Sequence, residues 1–305
     1  MKVVVAGGTG FLGRPLVEAL AAHRHDVVVL TRRGAATPAS AGARAVHWDP
    51  NGATGPWAAE LDGAGAVVNL AGESIAARRW SAEHKRRILD SRINATRSLV
   101  GAIEAVASRP AIFVSGSAVG YYGPLGDEIV TETTPAGSDF LARVCAQWEA
   151  EANRASSPQT RVVCIRTGLV LEKDGGALPQ MLPPFKLGAG GPVGSGRQYW
   201  PWSHRADWIG LVRWTLQTAA ASGPINATAP NPVTNKEFAR ALGRALHRPA
   251  FMPAPAFALR LMLGEMADAL LLSGQRAVPA TAQRLGFAFR HTDVETALQA
   301  IFARA

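Results

Sequence analysis

Residues 3–16 read Val3-Val4-Val5-Ala6-Gly7-Gly8-Thr9-Gly10-Phe11-Leu12-Gly13-Arg14-Pro15-Leu16, and the fold is decided there. The apolar, β-branched run at its start has the composition of a strand buried on both faces. Glycines follow at once, and Leu16, Val17 and Leu20 then recur at helical spacing over Arg14–His23. Strand, glycine turn and helix in immediate succession are the setting in which Gly-x-Gly-x-x-Gly carries meaning. One glycine permits the tight turn, one lets backbone approach a pyrophosphate, and one lets the helix pack closely on the sheet. The helix N-terminus adds unpaired N–H groups and a partial positive charge for phosphate oxygens. Gly7, Thr9, Gly10, Phe11, Leu12 and Gly13 are therefore expected to cradle a dinucleotide.

The end of the second strand indicates which dinucleotide. A site for NAD places Asp or Glu about 20 residues beyond the turn, where a carboxylate binds the ribose hydroxyls. This chain has Thr31-Arg32-Arg33 after the apolar run Val27–Leu30. Guanidiniums at Arg32 and Arg33 suit a 2′-phosphate through charge-assisted, bidentate hydrogen bonds, so the expected cofactor is NADP(H).

Further along, Ala66–Leu70, Ala111–Val114 and Val162–Ile165 read as buried strands, and 80–103 and 139–153 as helices. Strands alternating with helices imply an α/β protein with a Rossmann-like, doubly wound parallel sheet. After Arg166 the texture changes. Residues 175–196 are rich in Gly and Pro without sustained period, and read as loop around one short helix. Thr234 with Glu237 makes a capping box, and the pattern beyond is mainly helical. This divides the chain into a dinucleotide-binding domain over 1–222 and a smaller, mainly helical, substrate-side domain over 223–305.

The composition of the 305 residues, 48% hydrophobic and 18% charged, is that of an ordinary folded protein. No apolar run reaches the roughly 18 residues that cross a bilayer, and the glycines interrupt the N-terminal run before it could serve as a signal peptide. Two cysteines, Cys145 and Cys164, suit a reducing cytoplasm, and neither they nor the seven dispersed histidines have metal-ligand spacing. No metal is expected. The net charge of +9 raises the question of nucleic acid, but the basic residues are scattered apart from one cluster over 78–87, so a small-molecule partner is favoured. A monomer or a homodimer is compatible with all of this.

Several motifs in order resemble the atypical extended short-chain dehydrogenase/reductases of the NAD-dependent epimerase/dehydratase group. They are Gly7–Gly13, Asn69-Leu70-Ala71-Gly72, Val114-Ser115-Gly116-Ser117 with Tyr121-Tyr122-Gly123, and Arg166-Thr167-Gly168. Asn69–Ile75, Ser115–Gly123 and Asp139–Glu149 resemble more closely the subfamily of epimerase family proteins, and residues 249–301 resemble its small C-terminal domain of unknown function. The resemblance implies that Leu70, Ala71, Gly72 and Glu73 lie along the cofactor, with Ser115 and Arg166 also on its side. It places Ser117 beside the nicotinamide. It also makes Gly194–Asp207 the substrate-side loop, with Gln198, Trp200, Trp202 and His204 as candidates and Lys85 at the pocket rim. His204 is open to two readings, a general acid near neutral pH or a brace for its loop.

In the wider superfamily a Tyr-x-x-x-Lys pair exchanges the proton, because an ammonium one helical turn from a phenol lowers its pKa. Here the tyrosines are Tyr121, Tyr122 and Tyr199, the lysines are Lys2, Lys85, Lys173, Lys186 and Lys236, and no such spacing occurs. The expected helix reads Asp139-Phe140-Leu141-Ala142-Arg143-Val144-Cys145 instead. Three readings follow. One is an NADP(H)-dependent oxidoreductase or epimerase on a carbonyl or nucleotide-sugar-like substrate, with Tyr121 or Tyr122 beside Ser117 as proton donor. The second is a non-catalytic NADP(H)-binding redox sensor or regulatory protein, and the third is a nucleic-acid-associated Rossmann protein.

Overall fold

The β-branched runs become parallel strands because helices cover both faces of the sheet they form. In chain order the first half comprises β1 (Lys2–Ala6), α1 (Gly13–Ala22), β2 (Asp26–Thr31), β3 (Ala43–His47), β4 (Ala66–Asn69), α2 (Ala82–Ala105), β5 (Ile112–Ala118), β6 (Ile129–Val130), α3 (Phe140–Asn153) and β7 (Arg161–Thr167). The second half comprises β8 (Leu169–Leu171), α4 (Leu178–Lys186), β9 (Tyr199–Trp200), β10 (Trp202–His204), α5 (Arg205–Gln217), β11 (Gly223–Ala227), β12 (Val233–Thr234), α6 (Asn235–Ala245), α7 (Ala256–Leu263), α8 (Glu265–Ala267), β13 (Arg276–Ala277), α9 (Ala280–Arg284) and α10 (Val294–Ala303). The computed structural model describes residues 1–32 and 42–303, so Arg33 lies outside the described residues.

A seven-stranded sheet runs in the order β11-β7-β5-β4-β1-β2-β3, and all its pairings are parallel. From β1 the chain builds outward to β3, then crosses back to β4 and builds the other way. The crevice beyond the C-terminal ends of β1 and β4 is thus the switch point at which such sheets bind ligands. Alternate residues of each strand feed opposite faces. Val3, Val5 and Val29 pack with Leu16, Val17 and Leu20 of α1, whereas Val4, Val28 and Phe113 pack with Leu99, Val100 and Ile103 of α2. Periodicity does not anticipate β3, a half-buried edge strand whose Arg44 turns out to pair with Glu60.

A further apolar core is assembled from two separate stretches. Leu171, Leu178, Phe185, Trp200 and Trp202 pack with Phe238 and Leu242 of α6 and Leu298 and Ile301 of α10. The Gly/Pro-rich segment, read as loop around one short helix, carries α4 as that helix and leads into short strands. β11 pairs with β7 as the edge of the large sheet, so that sheet runs five residues past the boundary drawn at 222. Among the described residues no helix is long and apolar enough to cross a membrane.

At the start of α6 the Thr234 side chain accepts from the Glu237 amide while the Glu237 carboxylate accepts from the Thr234 amide, completing the capping box. Because α6 packs on α10, its fraying would loosen the small domain. Thr234→Ala is expected to lower stability by about 1 kcal/mol, read as a shifted urea midpoint with an unchanged slope.

Candidate active site

The glycine turn closes on the end of β4. Gly7 has φ +79°, and a Cβ there would lie 2.6 Å from the Leu70 carbonyl carbon, so only glycine lets β1 turn against the next strand. A Cβ on Gly13 would lie 2.1 Å from the Gly7 oxygen, so the helix can start this close to the turn only without one. Gly10 differs. A Cβ there would meet nothing nearer than the Gly7 oxygen at 3.4 Å, and the residue is exposed. The fold does not require a glycine at 10, whereas a backbone-hugging ligand does. The N-cap position of α1, Leu12, makes no side-chain cap, and no acidic residue occupies the first turn, which leaves this end open to an anion. Thr9 is exposed beside it, and Arg32 is exposed immediately beyond β2. The Phe11 ring packs under Gly175 and Gly176, with the Arg205 guanidinium 5.4 Å from its centre, so its side chain supports the turn from the small-domain side.

Beyond β4 the backbone is held by a single hydroxyl. Thr96 Oγ1 accepts from Asn69 Nδ2 and from Trp148 Nε1, each at 2.9 Å, and donates to the Arg92 carbonyl at 2.8 Å. All the hydrogen-bonding capacity of that group is used. Asn69 Oδ1 in turn accepts from the Ala71 amide, fixing the course of Leu70, Ala71 and Gly72 along the crevice. Glu73 is tied through its main chain, its amide to Ser91 Oγ and its carbonyl to Arg92 Nη1, and its carboxylate lies 3.7 Å from Arg87.

Under the end of β5 lies a polar network that sequence periodicity does not anticipate. Ser117 Oγ donates to Glu149 Oε1 at 2.6 Å, and Arg166 grips both oxygens of Glu149 through Nε and Nη2 at 2.8 Å. Arg166 Nη1 also donates to Tyr122 Oη at 3.0 Å and to the Glu132 carbonyl, while Tyr122 donates to Asn226 Oδ1 at 2.7 Å. Burial alone would depress the guanidinium's pKa, but the hydrogen bonds and charge of Glu149 outweigh it and raise it. Burial pushes the Tyr122 phenol up to about 12, against the pull of Arg166. The signal available for this pair was a charge inside the apolar strand Val162–Thr167, which demands a buried counter-ion.

Ser117, Tyr121, Tyr122 and Arg166 therefore converge, in distinct roles. Arg166, grouped above with the cofactor residues, is buried and occupied by Glu149 and Tyr122. Tyr122 is 1% exposed, and its hydroxyl is bonded on both sides. Tyr121 is half-buried, with the Arg166 guanidinium carbon 3.5 Å from its ring centre, and its hydroxyl has no partner among the described residues. Ser115 is fully buried beside Asn69 in register. On α3, Leu141 packs over Gly120, and Cys145 is buried against Ser117, where burial pushes its thiol up to about 12.

The substrate-side candidates are largely spent on packing. Trp202 is 0% exposed, its indole nitrogen donating to the Asn231 carbonyl, and Trp200 packs on Phe238 with ring centres 5.3 Å apart. Rings so covered offer a ligand no face, because the small-domain core has absorbed them. Gln198 Nε2 ties the carbonyls of Val193 and Leu271. His204 Nδ1 accepts the Ala206 amide as N-cap of α5, and its ring stacks on His291 at 3.9 Å. The bracing reading is the one this geometry favours, and the Asp207 carboxylate on the same helix accepts the Arg290 and His291 amides. Lys85 is ion-paired with Glu265, which links α2 to α8.

Residues 3–227 match the NAD dependent epimerase/dehydratase family, and residues 254–301 match a domain of unknown function, DUF1731. The chloroplastic epimerase family protein SDR39U1 homolog of Arabidopsis thaliana is 43% identical over 99% of this chain and 86% of its own length. The crystal structure of human epimerase family protein SDR39U1 with NADPH superposes with a TM-score of 0.91, at 36% identity and complete coverage of both chains. A nucleoside-diphosphate sugar epimerase from Corynebacterium glutamicum superposes at 0.79 with 33% identity, over 99% of this chain and 58% of that one.

Two measurements probe the buried network. Arg166→Met strands the Glu149 carboxylate and is expected to cost about 3–5 kcal/mol in denaturant unfolding at neutral pH. The Tyr122 phenol, held at about 12 in the fold against 10.0 for an unperturbed tyrosine, stabilises the folded state below pH 10, and that contribution is lost as pH rises toward 12. Tyr122→Phe should remove this alkaline step, seen by comparing the two proteins' unfolding free energies across that interval.

Proposed function

The chain belongs to the NAD-dependent epimerase/dehydratase family, and from that premise we propose that it is an NADP(H)-dependent oxidoreductase or epimerase acting on a carbonyl-bearing small molecule. The observation that carries this reading is Gly10, the one turn glycine that the fold itself does not need, set against the open N-terminus of α1. The exposed Arg32 at the end of β2 supports a 2′-phosphate, and the NADPH in the human relative's structure agrees with it. The residues that would hold the cofactor are the backbone of Gly7–Gly13 for the pyrophosphate, Arg32 with Arg33 for the 2′-phosphate, and Leu70–Glu73 for the ribose. Bound there, it supplies or accepts a hydride at a substrate carbon.

The chain's own part is to place the substrate and move a proton. Tyr121 is the donor in this reading, because its neighbour Tyr122 is sealed and Ser117 already donates to Glu149. Arg166 steadies the Tyr121 ring from one face by a cation–π contact. Ser117, with its proton turned toward Glu149, keeps its lone pairs to accept from a substrate hydroxyl. A nucleotide sugar is the substrate class indicated by the Corynebacterium relative's description. The same commitment of Ser117 and Tyr122 to internal partners favours a second reading, in which NADP(H) is bound as a signal without turnover.

Loss of NADPH absorbance with a panel of aldehydes and ketones, together with chromatographic detection of epimerised product from nucleotide sugars incubated with NADP+, separates the two. The enzyme reading expects turnover that falls about a hundredfold or more in Tyr121→Phe while NADPH affinity is kept. Tight NADPH binding with no turnover across the panel overturns it in favour of the sensor. Gly10→Ala should leave the melting temperature unchanged and weaken NADPH about tenfold, since the added methyl meets ligand rather than protein.

A further inference from the structure

Among the described residues Arg92, half-buried beside this crevice, has no carboxylate partner. Arg92 lies on α2 one turn before Thr96, and its Nη1 donates to the carbonyls of Glu73 and Ile88 at 3.0 and 2.9 Å. Its guanidinium carbon is 5.2 Å from the centre of the Trp148 ring, and a Cβ on Gly72 would sit 3.3 Å from it. Neighbouring carboxylates are spoken for, Glu149 by Arg166 and Glu73 by Arg87. Among the described residues no carboxylate comes within ion-pair distance of Arg92, and its Nε and Nη2 have no acceptor. Burial accordingly draws its pKa below the ordinary arginine value, with Cys145 and Glu73 offsetting only part of the loss. A partly buried guanidinium with unfilled donors is costly, and a ligand bringing acceptors to it offsets that cost.

Its place in the fold indicates the ligand. With the 2′-phosphate end at Arg32 beyond β2 and the pyrophosphate at the β1–α1 turn, the other half of a dinucleotide extends over the ends of β4 and β5. Arg92 lies between the chain that leaves β4 and the thiol of Cys145, which itself adjoins Ser117 and Ala118 at the end of β5. No lysine is present on α3 to bring positive charge to that slot. We propose that Arg92 donates its free N–H groups to the nicotinamide-side ribose of NADP(H), supplying from α2 a cation where α3 carries Cys145. Vicinal hydroxyls match a planar fork of donors, and the interaction holds the nicotinamide end in register with Ser117 and Tyr121. Arg92 is thus a cofactor-positioning residue, and its assignment rests on the NADP(H) reading above.

The test compares a whole cofactor with its adenosine half. Calorimetric titration with NADPH and with adenosine 2′,5′-bisphosphate is run on wild type, Arg92→Ala, Arg92→Lys and the double variant Arg92→Ala/Cys145→Lys, each first checked for an intact melting transition. Arg92→Ala should weaken NADPH about tenfold and leave the bisphosphate within about twofold, with partial recovery in Arg92→Lys. The double variant, which returns an ammonium to the slot from α3, should also bind NADPH more tightly than Arg92→Ala. Equal weakening of both ligands would make Arg92 merely a staple for the loop at Glu73 and overturn the proposal, as would unchanged NADPH binding in Arg92→Ala. Wild-type protein that binds neither ligand overturns the cofactor reading itself, a result distinct from either of those.

Discussion

A guanidinium keeps its charge even when buried, so its N–H groups demand acceptors and a counter-charge, and much of this structure is arranged around meeting that demand at Arg166. Its grip on Glu149 joins the C-terminal end of β7 to the later turns of α3, and the Glu132 carbonyl and Tyr122 bring in the segments after β6 and β5. Glu132 extends the same set, accepting the amides of Asn226 on β11 and Thr281 on α9. Residues far apart in the chain are thereby fastened beneath the C-terminal edge of the sheet, where the crevice opens. A fully bonded buried network of this kind rigidifies, whereas any member left unpaired would cost several kcal/mol.

That rigidity has a chemical consequence. Ser117 and Tyr122 belong to the motif region on which proton chemistry would be expected, yet both hydroxyls are committed to the network. Tyr121 alternates with Tyr122 and emerges on the other side, half-exposed, with its ring against the same Arg166. Two adjacent tyrosines of identical chemistry are thus separated by burial alone, one a strut and one a candidate donor.

On the opposite side of the crevice the architecture is set by close backbone approach. Gly7 brings the β1 turn against Leu70, and Asn69, Thr96 and Trp148 hold the path beyond β4 by three hydrogen bonds to one hydroxyl. Between these walls lie the backbone of the glycine turn, the exposed Thr9 and Arg32, and the half-buried Arg92 and Tyr121. The small domain closes the far side with α8, through Lys85–Glu265, and with the segment joining Gly274 and Gln275 to Leu125 and Val119.

Much of this was legible in the residue order. The β-branched runs, the glycine turn and the capping box at Thr234 act over distances of a few residues, where local sterics and hydrogen bonding dominate. The doubly wound sheet, the dinucleotide turn and the absence of a Tyr-x-x-x-Lys pair could all be read that way. What only the tertiary structure decided is the use made of each polar side chain. Whether Trp202 faces a ligand or the core, whether Tyr121 or Tyr122 keeps a free hydroxyl, and which arginines find a carboxylate depend on partners 17 to 104 residues away, as in the Arg166–Glu149 and Tyr122–Asn226 bonds. Burial and pairing are properties of the packed molecule, and spacing along one chain carries no record of them.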